Sequence, residues 1–377
     1  MNMAAVFLWM SMYSYTPILP AYGASLGANV VMIGIVAGAY GIMQIILRIP
    51  LGILTDKLRA DRLLLVIGFS VLTLSAVLFL TAQNVNMLIF ARGMAGAAAA
   101  WWVVVCASFA HYHREDEQVK AQGVISASGN IGKVAASLLC AVVAQAFSFY
   151  AAFVLSLAAA LVGLVLMFGL KEQKPAAAKQ ATLKEQLLLL KNKELLAFSV
   201  LALLGQMLCF ATATTFTPVA AEKLGADGMG LGMLTLVFFL FTSVFSLFAG
   251  TKLFRKMGGV NAVALAFFVG AASCVPLLYQ NMLSLYVAQA LAGICYGVTT
   301  AALSGFALHA VAPHQRGAAT GILQSIFGIG IFLGPVVMGV LIDGASFDAA
   351  YWTMCAVMLA SGALCYALIP KRYNAMT

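Results

Sequence analysis

The chain is 377 residues long, 63% hydrophobic and only 9% charged, with a mean hydropathy of +1.01. Soluble domains carry about 25% charged residues, so this composition excludes a water-soluble globular fold and points to an all-α integral membrane protein. The formal net charge of +9 would suggest nucleic acid in a soluble chain, but the placement of the basic residues explains it as membrane topology, and no nucleic-acid partner is expected.

Runs of roughly 20 apolar residues are what a ~30 Å hydrocarbon core requires. They predict twelve transmembrane helices, at about 4–23, 30–54, 62–82, 85–110, 121–146, 148–170, 194–221, 228–251, 260–279, 283–308, 317–342 and 348–369. The first begins within a few residues of Met1, and no charged leader with a cleavage site is expected ahead of it. Lys57, Arg59 and Arg62 follow the second helix, Arg114 and Lys120 the fourth, Lys252, Arg255 and Lys256 the eighth, and Arg316 the tenth. Lys371 and Arg372 follow the twelfth, and the opposite side carries only Lys223. By the positive-inside rule both termini lie in the cytoplasm and the protein is multi-pass in the cell (plasma or inner) membrane.

Three basic residues have no topological reason to be where they are. Arg48 sits in the second helix, roughly 12 Å from its basic end at ~1.5 Å per residue, and can snorkel or pair locally. Arg92 sits in the fourth helix among small residues, Gly93, Gly96 and alanines to Ala100, which suit a packed scaffold as well as a cavity wall. Lys133 belongs to a stripe, Gln122, Ser126, Asn130, Lys133 and Ser137, spaced by three or four residues on one face of the fifth helix. Such a stripe faces protein or water, as an interhelical hydrogen-bond seam or as a substrate contact. A charge meeting lipid costs a few kcal/mol or more, so all three belong inside the bundle. No Asp or Glu lies in mid-membrane; the buried carboxylate that many cation exporters use is missing.

Residues 171–193, "KEQKPAAAKQATLKEQLLLLKNK", form a polar linker turning amphipathic. Thr182 and Glu185 have capping-box spacing and predict a short helix on the cytoplasmic surface, with a flexible tether as the alternative. The linker separates an N-terminal six-helix bundle, 1–170, from a C-terminal one, 194–377. The bundles are related: a shift of about 198 residues places Gly34 on Gly232, Gly52 on Gly250 and Gly123 on Gly321, with Gly96 near Gly293. "YTP" at Tyr15 and "FTP" at Phe216 also match. Duplicated six-helix halves are the architecture of secondary transporters whose site lies between them near the midplane. The counterparts of the charged residues are neutral: Gln289 for Arg92, Ser246 for Arg48, and Gln324, Gly328, Ile331 and Pro335 for the Lys133 stripe. The cavity should be basic on one wall and neutral on the other. Arg92, Lys133, Asn130, Tyr40, Gln44, Gln289, Tyr296 and Gln324 are the candidate substrate or coupling residues, with Trp9, Tyr13 and Trp101 as further aromatic candidates.

"GILTDKLRADR", Gly52 to Arg62, resembles the second–third loop signature of the major facilitator superfamily. "RGMAG", Arg92 to Gly96, resembles its fourth-helix signature, and "RIPLG" fits as well. Arg59 stands where that loop usually has glycine. The fifth helix lacks the glycine–proline signature of drug antiporters, and a similar string, "GIGIFLGPVVMG", appears in the eleventh. The resemblance implies two pseudo-symmetric bundles, alternating access, and coupling or substrate binding at Arg92. It also implies a gate in which Asp56 meets the start of the eleventh helix, a contact a helix N-terminus favours; Gly52, Asp56, Lys57, Arg62 and Arg48 form that candidate gating set. The expected function is a secondary antiporter or other carrier of a small organic solute, anionic or carboxylate-bearing, with protons as a candidate coupling ion through Lys133. A multidrug or amphiphile exporter and a lipid translocator are the alternatives on the same scaffold. No enzyme chemistry is expected, because no converging nucleophile, acid–base or ligand set lies within the helices. No metal site or other cofactor is expected either: the seven cysteines lack ligand spacing, and no phosphate-binding loop is present. The expected functional unit is a monomer.

Overall fold

A computed structural model describes residues 1–58, 60–111, 118–170, 188–249, 251–279, 281–312 and 315–374. Side chains at 53, 56, 57, 110, 111 and 118–122 lie outside the described set. The expected surface helix around Thr182 and Glu185 also falls outside it, as does Arg59.

Among the described residues there is no strand, and twelve spans cross the molecule. Eleven are long and apolar enough to cross a membrane. The first is broken into Asn2–Tyr13, a 3-10 turn at Thr16–Ile18, and Leu19–Ser25. The second to sixth are Val30–Leu58, Asp61–Thr81, Val85–Ala100 continuing as Trp102–His111, Gln118–Ala146 and Phe149–Phe168. The seventh comprises Lys193–Leu208, a π-helical segment Cys209–Phe216, and Thr217–Lys223. The eighth to twelfth are Gly228–Phe248, Gly259–Cys274, Met282–His309, Arg316–Gly344 and Phe347–Leu368. Several spans start on side-chain caps, Asn84, Asn192, Asp227, Asn281 and Ser346, which satisfy N–H groups that no preceding turn can reach.

The breaks in the first and seventh spans fall at the sequence-matched pair Thr16-Pro17 and Thr217-Pro218. Proline brings no N–H to the helix ladder and crowds the turn before it. Hydroxyls take up part of the disruption: Thr16 Oγ1 donates to the Met12 carbonyl at 2.9 Å, and Thr212 Oγ1 to that of Leu208 at 2.6 Å. Each half thus has a kinked span beside its fourth member.

The halves meet along two seams, the second span against the eleventh and the fifth against the eighth. At the end away from the basic loops, glycines close both. A Cβ at Gly34 would collide with the Pro335 carbonyl, one at Gly38 would lie 2.8 Å from the Phe332 carbonyl, and one at Gly41 would lie 2.7 Å from that of Gly328. Gly228 packs on Ala144, and Gly232 on Ala141. Small residues let backbones approach where lipid supplies no hydrophobic drive. Toward the basic end the packing loosens: a Cβ at Gly123, Gly317 or Gly321 would meet nothing within 4 Å.

All seven cysteines are buried, and none is in a disulfide. Trp101 does not line the centre: its indole donates to the Leu64 carbonyl at 2.8 Å, and its ring covers Gly68 of the third span.

Candidate functional site: a caged lysine between two seams

Lys133 lies midway along the fifth span, half-buried, with its ammonium 4.4 Å from the Trp9 ring, 5.6 Å from Tyr13 and 5.9 Å from Phe239. The first two rings belong to the first span and the third to the eighth, so the cage straddles the halves. Local packing explains its shape. The backbone of the fifth span approaches the first so closely at Gly132 that an added methyl would strike the Val6 carbonyl, and at Gly129 it lies under Trp9. The rings continue across the molecule. Trp102 meets Trp9 edge-on at 5.2 Å, Tyr13 meets Phe239 at 4.8 Å, and Phe238 meets Tyr296 at 5.7 Å.

Cation–π contacts are worth roughly 0.5–2 kcal/mol, against about 3 kcal/mol for a lysine at mid-membrane. They hold the ammonium without using its three N–H donors. Among the described residues no carboxylate forms an ion pair with it. Asn130, half-buried, lies one turn toward the basic end. The cage can therefore offer strong donors to an anion while aromatic faces receive its apolar part.

Arg92 occupies a second position, nearer the opposite end. It is 4% exposed, donates to the Tyr15 hydroxyl at 3.3 Å, and lies 4.3 Å from the Tyr40 ring and 5.7 Å from that of Tyr15. Tyr40 in turn stacks on Phe210 of the seventh span, centroids 5.8 Å apart. Arg48 reaches across the other seam: its Nη1 donates to the Gln324 carbonyl of the eleventh span at 2.8 Å, and its guanidinium lies 4.9 Å from the Phe327 ring. The sequence suggested snorkelling or local pairing for Arg48; its partner is instead in the other half, because Gly41 and Gly328 bring the two backbones together one to two turns away.

The remaining sequence candidates are dispersed. Tyr296 exchanges hydrogen bonds with Gln206 at 3.2–3.3 Å beside the ring chain. Gln289 donates to the Ala213 carbonyl inside the π-helical segment, at 2.8 Å. Gln44 donates to the Tyr40 carbonyl of its own helix at 3.1 Å, and Gln324 meets Arg48 through its backbone. Of the gating set, Arg62 is exposed and donates to the Phe168 carbonyl at the end of the sixth span, 2.7 Å away. Gly52 faces Val103, while the Asp56 and Lys57 side chains lie outside the described residues. Gln206 and Phe239 were missed. Gln206 had a readable signal, as an isolated amide in the apolar run "LLALLGQMLCF"; Phe239 sits in a phenylalanine-rich span where nothing sets it apart.

The Major Facilitator Superfamily model matches residues 1–279 and 200–376. The chain belongs to that superfamily. It is 25% identical over 171 residues to an uncharacterized transporter of Buchnera aphidicola subsp. Schizaphis graminum, a match spanning 45% of this chain and 43% of the relative. It is 23% identical over 380 residues to the quinolone resistance protein NorA of Staphylococcus aureus strain MSSA476, covering 99% of this chain and 96% of that one. Among solved structures, the nucleoside transporter NupG superposes with a TM-score of 0.78 at 15% identity, covering 98% of this chain and 99% of that one. The human organic anion transporter MFSD10 gives 0.69 at 15%, over 96% and 98%. At these identities the structural likenesses show the fold: twelve helices in two pseudo-symmetric six-helix bundles. The protein is a multi-pass membrane transporter of that superfamily.

Proposed function

We propose that this transporter carries small organic anions, carboxylate-bearing and partly apolar, by alternating access between the 1–170 and 194–377 bundles. The observation that carries the reading is Lys133: a mid-membrane ammonium in an aromatic cage built from both halves, with its N–H donors uncommitted. A carboxylate would take charge-assisted hydrogen bonds from it, and the cage rings would face the rest of the solute. With the basic loops and both termini in the cytoplasm, the glycine-closed seams lie on the outer side. The loosened packing at Gly123, Gly317 and Gly321 lies on the inner side, so this conformation faces inward. Arg48 then spans the inner part of one seam and acts as a gate element.

A second reading has one observation in its favour: the full-length likeness to NorA, a resistance protein. In it the cage rings receive cationic or neutral amphiphiles and Lys133 serves packing alone. Ligand-induced thermal shifts on purified protein separate the two. Organic anions, lipophilic cations and amphiphiles are screened on wild type and Lys133→Gln. Stabilisation by anions that Lys133→Gln abolishes supports the first reading. Equal stabilisation of both proteins by cations or amphiphiles overturns it.

A further inference from the structure

Three cations, Arg48, Arg92 and Lys133, lie inside the bundle, and no Asp or Glu lies in the middle of any span. The guanidinium of Arg92 is a buried cation, and a buried charge needs compensating partners. Its own partners do not supply it. The Tyr15 bond is long, the Tyr40 and Tyr15 rings flank the guanidinium, and its Nε has no hydrogen-bond partner although it is fully buried. An unpartnered N–H on a buried charge is costly to leave unmade.

Arg92 also lines a cavity of about 10 Å³ between the halves, the room one water or one small ion takes up. Thr16 and Ala37 contribute from the first half, and Phe210, Thr214 and Thr215 from the π-helical segment of the second. The hydroxyls there are not equally committed. Thr215 donates to the Phe210 carbonyl at 2.6 Å, and Thr16 to that of Met12 at 2.9 Å. Thr214 reaches the same Phe210 carbonyl only at 3.4 Å, so its hydroxyl can turn into the cavity. The wall then offers a guanidinium N–H from one half and a hydroxyl from the other.

We propose that this cavity is a site for a small inorganic anion of halide size, held by Arg92 and Thr214 and linking the two halves. It is too small for an organic carboxylate and is therefore separate from the Lys133 cage; the inference does not depend on the substrate assigned there. Because its wall is shared between the halves, separating them breaks the site, so a bound halide favours the conformation in which the halves meet at this end.

The test compares thermal unfolding of the purified full chain in chloride, bromide and gluconate at equal ionic strength. Wild type and Lys133→Gln should unfold about 3 °C higher in the halides than in gluconate. Thr214→Val should lose most of that difference and Arg92→Gln all of it. Equal midpoints in chloride and gluconate for wild type would overturn the proposal, and so would a halide effect retained in Arg92→Gln. Should Arg92→Gln fail to fold, bromide-soaked crystals of the wild-type protein decide. An anomalous peak beside Arg92 Nε supports the site; ordered water there without anomalous signal refutes it.

Discussion

The two seams are related by the internal duplication, yet they solve the same packing problem differently. Where the fifth span sets Lys133 against Phe239 of the eighth, the corresponding residues of the other seam are Ile331 and Gly41. Ile331 is 2% exposed, and a Cβ on Gly41 would come within 3.1 Å of its carbonyl carbon. At this level one seam is backbone on backbone, whereas the other, although closed by Gly228 and Gly232 farther along, keeps side-chain room around a charge. The duplication preserved the crossing of the helices and let their chemistry diverge. A seam that only has to close can be built from glycine, whereas one that receives a solute, as proposed for the Lys133 seam, needs volume and donors.

The largest effect should come from exchanging these roles. Ile331→Lys would bury an ammonium at a position only 2% exposed, away from the Trp9, Tyr13 and Phe239 rings that hold Lys133. An unpaired charge at mid-membrane costs about 3 kcal/mol or more, and the expected result is loss of monodisperse protein on size exclusion. Recovery of a well-folded variant would show that the second–eleventh seam is as roomy as the other. Next is Gly38→Val, which pushes against the Phe332 carbonyl; overpacking of this kind destabilises by about 1–3 kcal/mol, read as a lowered thermal midpoint with transport largely lost. Arg48→Ala should act on conformation more than on folding. It removes one charge-assisted hydrogen bond across the seam, worth roughly 1.5–3 kcal/mol. The bond is made in the conformation that leaves Gly321 open, so labelling of a thiol introduced by Gly321→Cys should slow by about tenfold or more, and an unchanged rate would remove Arg48 from the gate.

Much of this was legible in the sequence, and the reason is the solvent. Lipid imposes long apolar runs, so the twelve spans follow from composition and the closed helical pattern from the need to satisfy every backbone group. The stripe through Asn130 and Lys133 was visible for the same reason, since polar residues stand out against lipid. Partners were not legible. Nothing in "RIPLG" shows that Arg48 finds a carbonyl 276 residues away, because that contact depends on how closely Gly41 and Gly328 allow two helices to approach. The cage was half visible. Trp9 and Tyr13 were candidates for the cavity wall by type, but Phe239 is one of several phenylalanines on its span, and only tertiary packing selects it. The π-helical segment at Cys209–Phe216 had a proline to announce a break, but not the kind of break that would follow.

The most direct test of the caged lysine is counterflow of a radiolabelled aromatic carboxylate in proteoliposomes, with wild type and Lys133→Gln measured side by side. If Lys133 receives the carboxylate, the substitution should raise KM roughly 10–100-fold, the loss of one charge-assisted hydrogen bond, while the thermal midpoint of the unliganded protein stays near that of wild type. An unchanged KM with intact folding would contradict it and leave the cage as packing alone.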